Sequence, residues 1–87
     1  MLEEFLGQLV VLDLRGSFVC LGKLQRLDGQ FFELRNADFH DLRDTQTTRE
    51  NYVAASKISG IKRNRKRVLV PRSELVAIAL FDDVVEN

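Results

Sequence analysis

Apolar residues gather in two blocks, Leu9 to Asn36 and Val68 to Leu80, and the stretch between them follows a different period. In the first block Leu9 to Leu14 reads as a strand rich in leucine and valine, interrupted only by Asp13. Arg15-Gly16 offers a two-residue turn, with glycine free to take the positive φ that such turns need. Ser17 to Leu27 then forms a long strand, apolar at successive positions from Phe18 to Leu21, as expected of a segment covered on both faces. Gly22 falls where that run gives way to looser alternation through Lys23, Gln25 and Arg26, and a glycine inside a strand marks a bend or bulge. Asp28-Gly29 is the strongest hairpin signal in the chain. It sends Gln30 to about Leu42 back as a third, antiparallel strand, with Phe32 and Leu34 on one face and Glu33 and Arg35 on the other.

The middle stretch switches to a helical period. Thr47-Thr48-Arg49-Glu50 matches a capping box with Thr47 as the cap, Tyr52, Ala55 and Ser59 recur at three- or four-residue spacing, and Gly60 supplies a stop. The pattern predicts a helix from about Thr48 to Ser59. A basic run, Lys62, Arg63, Arg65, Lys66 and Arg67, follows it, with Asn64 suggesting a turn. Arg67 to Val70 reads as a short strand, Pro71 marks a tight corner because it lacks an amide donor, and Glu74 to Phe81 reads as the last strand. At the other end Leu2 to Leu6 fits one helical turn, with Leu2, Phe5 and Leu6 on one side, placed to cap an open barrel end before Gly7 breaks it. The expectation is a mainly β fold: a small, strongly bent five-stranded SH3-like barrel with a short N-terminal helix and a helical insert, about residues 45–67, before the fourth strand.

Composition narrows the possibilities. A chain of 87 residues suits one domain, buries only about 60–65% of its unfolded surface and gains from oligomerisation. Thirteen Lys+Arg balance thirteen Asp+Glu, so any anion site is local. A lone Cys20 excludes an internal disulfide and, with His40 as the single histidine, a Cys/His zinc set; Cys20 reads as a small core residue. The opening Met1-Leu2-Glu3-Glu4 has neither the basic region nor the apolar run of a signal peptide, and no stretch is long enough to span a membrane, so a cytoplasmic location and no membrane partner are expected.

The ordered set Leu6-Gly7, Gly16, Gly22-x-Leu24, Asp28 and Phe31-Phe32, followed by Val68-Leu69-Val70-Pro71-Arg72-Ser73 and a final strand, resembles the Sm-like (LSm) family over most of the chain outside the insert. The resemblance implies one Sm-like domain over residues 1–87 and a homo-oligomeric ring, the fourth strand of one copy pairing with the fifth of the next through Val68 to Val70 and Val76 to Leu80. Edge strands argue for the same closure, since a ring satisfies every free amide row. It also implies single-stranded RNA bound at the loop after the second strand and the loop between the last two. In this chain Phe31-Phe32 stands where the family places an apolar residue and asparagine, and Pro71-Arg72 where it places arginine and glycine.

The candidate RNA-binding residues are therefore Gln30, Phe31, Arg72 and Ser73, with Lys62, Arg63 and Arg65 as auxiliary phosphate contacts. At most one of Phe31 and Phe32 is free to meet a base, the other filling core or interface, and Arg72 either pairs with Asp28 or Glu74 or reaches a base or phosphate. The basic run either holds phosphate or balances the acidic C-terminal tail. His40 beside Asp41 has no placed nucleophile, and the scattered aspartates match no calcium loop. A non-catalytic protein without cofactor or metal is expected. The alternative is a protein-interaction module that presents the insert helix, through Tyr52 and Val53, to a protein partner; a monomeric SH3-like barrel is the third possibility.

Overall fold

A computed structural model describes residues 1–85. A 3-10 turn, Leu2–Phe5, leads into β1 (Leu9–Leu14), β2 (Phe18–Leu27) and β3 (Phe31–Asp41); a helix, α1 (Arg49–Ser59), precedes β4 (Arg65–Pro71), and a 3-10 turn over Arg72–Glu74 separates that strand from β5 (Leu75–Leu80). The strands form one antiparallel sheet in the order β4-β3-β2-β1-β5, so β4 and β5 are its two edges.

The sheet bends at β2 and β3. Between Leu21↔Asp38 and Lys23↔Arg35, β3 carries one residue more than β2, and Asn36 takes φ 50° there. Gly22 lies opposite: a Cβ built on it would stand 2.9 Å from Ala37 Cβ and 3.1 Å from the Arg35 carbonyl oxygen. The glycine is needed because two backbones approach closely, and the bend expected at that position is present. The bulge also shifts the parity of β3, so that Leu34 and Ala37, three residues apart, both face the core.

Two hydrophobic clusters result. Val10, Leu12, Leu14, Cys20, Leu24, Phe32, Leu34, Ala37 and Val70 fill the concave side, with Leu2 and Phe5 of the N-terminal turn packed against them as an end cap. Val11, Val19 and Leu21 point the other way and meet Leu42 and Val53 beneath α1. The uninterrupted apolar runs of β1 and β2 thus have a cover on each face. Burial pushes the Cys20 thiol up to about 12, which leaves it an inert core residue.

The insert departs from expectation in three respects. Thr48, not Thr47, caps α1, its hydroxyl accepting from the Asn51 amide at 3.1 Å, so the capping box is shifted by one residue. Arg65 and Lys66, expected before the strand that begins at Arg67, already belong to β4. Val53 is buried on the face of α1 turned toward the sheet, and Tyr52 donates its hydroxyl to the buried Asp38 carboxylate while its ring stacks on His40 at 4.0 Å; the helix turns these residues inward, so Val53 is not available to a partner. His40 itself hydrogen-bonds Thr45, while Asp41 accepts from Ser17 and Arg43 instead of pairing with His40. Arg49 tethers the helix to the sheet, one guanidinium nitrogen lying 3.1–3.3 Å from the carbonyl oxygens of Leu14, Gly16 and Phe18. Among the described residues no helix is long and apolar enough to cross a membrane.

Candidate nucleic-acid interface

The β2–β3 turn is built by Asp28. Its Oδ1 accepts from the amides of Gln30 at 2.7 Å and Phe31 at 2.8 Å, and these two backbone donors hold the carboxyl below its ordinary range. Gly29 does not take positive φ, so the side-chain turn of Asp28, rather than a glycine-dependent backbone turn, closes the hairpin.

Arg72 joins this turn to the one between β4 and β5. Its amide donates to the Gln30 carbonyl at 2.8 Å, its guanidinium donates to the Asp28 carbonyl, and the guanidinium carbon lies 5.4 Å from the centre of the Phe32 ring. Of the pairings open to it in the sequence, Arg72 takes the backbone of Asp28, and neither the Asp28 nor the Glu74 carboxylate forms an ion pair with it. Pro71 opposite Phe31 ends the β3–β4 ladder at this junction.

The two phenylalanines divide as alternation requires. Phe32 is fully buried in the main cluster, whereas Phe31 keeps 37% of its surface. Beside Phe31 opens a pocket of about 180 Å3 lined by Arg26, Leu27, Asp28, Glu33 and Leu69. Gln30, Phe31, Arg72 and Ser73 are therefore brought together on one rim, with Gln30, Phe31 and Ser73 exposed. An aromatic face, a fixed guanidinium and a small pocket make a surface suited to a flat, unpaired base.

Lys62, Arg63 and Arg65 do not join them. Arg65 pairs with Ala37 at the far end of the ladder that starts at Phe31↔Pro71. Lys62 and Arg63 border a separate cavity of about 420 Å3 with Asp38, His40, Thr45, Tyr52 and Asn64. Asn64 is a structural stitch, its side chain accepting from the Phe39 amide and donating to Asp38 and the Phe39 carbonyl.

One participant was not singled out from the sequence. Glu33 is almost fully buried, yet its carboxylate receives Arg26 at 2.7 Å and Arg35 and Arg67 at 3.3 Å. These guanidinium groups hold its pKa down at about 2, Arg26 contributing most. The polar face of β3, with basic residues on both flanking strands, was the available signal.

The Sm protein of Pyrococcus abyssii, solved in complex with a uridine heptamer, superimposes on this chain with a TM-score of 0.60 at 15% identity, covering 90% of this chain and 89% of that one. A chain of the NatC complex bound to Gag peptide and CoA superimposes with a TM-score of 0.62 at 19% identity, covering 97% and 96%. No family model and no curated protein matches the sequence. At such identities the likeness is one of fold.

Proposed function

Since the chain has an Sm-like fold, we propose that it is a non-catalytic protein that binds single-stranded RNA and assembles, as one Sm-like unit over residues 1–87, into a homo-oligomeric ring through the edges of β4 and β5. The observation that carries this reading is the junction of the two turns: Arg72 locks the β4–β5 turn onto the β2–β3 turn and leaves Phe31 displayed beside a pocket. Phe31 is the stacking residue, Gln30 and Ser73 supply exposed hydrogen-bonding groups, and Arg72 holds the two loops in register. Leu69 and Val76, exposed apolar residues on the two edge strands, support pairing between copies.

Filter binding of an oligouridylate at two salt concentrations tests it. Phe31→Ala is expected to weaken binding by about 1–3 kcal/mol while leaving the fold intact, because the side chain is not part of the core. Absence of RNA binding by the assembled wild-type protein overturns the reading.

A second reading is favoured by the equal likeness to a chain of the NatC complex: the edges of β4 and β5 receive a different protein rather than another copy. A solution mass of one protomer, rising only when a second protein is added, selects it.

A further inference from the structure

Across the outer face of the sheet runs a rung of like charge. Lys23 of β2 lies directly opposite Arg35 of β3, and Arg35 lies directly opposite Arg67 of β4. Like charges placed opposite each other on neighbouring strands destabilise a sheet, and here three occupy one line. Arg26, one step along, belongs to the same face through its pairing with Glu33.

Glu33 relieves part of this. Its single carboxylate is shared by Arg26, Arg35 and Arg67, while Lys23 and Lys66 form no ion pair among the described residues. Both lysines border a groove of about 510 Å3 whose remaining walls are Gln25, Arg35 and Asn36. No carboxylate and no apolar side chain lines it. The groove offers donors to an anion and nothing to an apolar anchor.

The charges are too widely spread for one small anion, since three adjacent strands span about 10 Å. They are also continuous with the loop junction, because Arg26 and Glu33 line the pocket beside Phe31 as well as belonging to the charged cluster. A chain leaving Phe31 reaches Arg35, four residues along β3, after about 13 Å. We propose that the outer face of β2, β3 and β4, centred on Lys23, Arg35 and Lys66, is a phosphate-backbone track for single-stranded nucleic acid, separate from the base site at the loops. This rests on the RNA-binding reading for the direction of the strand, but the track itself ignores base and sugar, because it meets phosphate alone.

The full chain is titrated with oligouridylate and with oligodeoxythymidylate of equal length over a series of salt concentrations, as wild type, Lys23→Gln/Lys66→Gln and Phe31→Ala. Both lysines are exposed and unpaired, so the double variant leaves the Glu33 cluster in place. It is expected to weaken both ligands alike and to flatten the dependence of log K on log salt by about 1.4, two phosphates at about 0.7 each. Phe31→Ala is expected to lower affinity with little change of slope. A double variant with the wild-type slope overturns the track and leaves the loop site standing. A flattened slope with no effect of Phe31→Ala supports the track and overturns the loop site. Wild-type protein that binds neither strand, or that binds polyglutamate as tightly as RNA of equal charge, overturns the nucleic-acid assignment.

Discussion

Glu33 lies in the sheet with its side chain almost fully covered and remains ionised because guanidinium groups from β2, β3 and β4 meet it there. Its ordinary value of 4.5 is lowered to about 2 in the folded protein. As pH falls from about 4.5 to about 2 the unfolded chain gains a proton that the folded chain refuses, so this contribution to stability is complete above the window and is lost within it. Urea midpoints measured across that range are expected to fall with pH in the wild type and to fall less in Glu33→Gln, which should also be less stable at neutral pH. Equal pH slopes for the two proteins contradict the assignment. Gly22 makes a second claim at this scale. A methyl group there meets Ala37 and the Arg35 carbonyl, neither of which is the free end of a side chain, so Gly22→Ala is expected to cost about 1–3 kcal/mol by overpacking. A melting temperature equal to the wild type would show that the two strands have room to part. Gly22 was legible in the sequence as a break between two patterns, and the division between Phe31 and Phe32 followed from alternation along β3. The commitment of Arg72 to the Asp28 carbonyl was not legible, because a residue 44 positions away reaches that oxygen only once both loops are folded.

Strand identities and their order along the chain could be read from the apolar pattern, and the observed bounds fall within a residue or two of it for β1, β2, β3 and β5. Strand β4 falls within the same tolerance, but its first two residues lie outside the expected Arg67 to Val70. Arg65, Lys66 and Arg67 carry no apolar alternation, and they are strand because β3 offers them a ladder, Ala37↔Arg65 and Arg35↔Arg67. The insert helix was found from its period, but its packing was not. Two adjacent threonines both fit a cap, and the amide of Asn51 selects Thr48. Thr48→Ala is therefore expected to lower stability by about 1 kcal/mol, whereas Thr47→Ala changes it little; thermal melts of the pair distinguish them, and the reverse ranking contradicts this helix start. The burial of Val53 follows from a partner the helix pattern does not contain, namely the outward apolar positions Val11, Val19 and Leu21. Those positions were visible as runs without alternation, and they required some cover.

For the molecule as a whole, the sheet order leaves β4 and β5 as open edges with Leu69 and Val76 exposed along them. Another strand satisfies such an edge, and head-to-tail pairing of identical copies leaves none free where the rotation between copies closes, which is the arrangement proposed above. In the proposed ring the loops that hold Phe31 and Arg72 are repeated around one centre, so that a single RNA chain meets several stacking residues in turn. Native mass spectrometry of the protein with a short oligouridylate tests assembly and ligand together. The account predicts a closed oligomer of 10.0 kDa protomers carrying one RNA chain. A free protomer without RNA, at concentrations where the protein is folded, contradicts it.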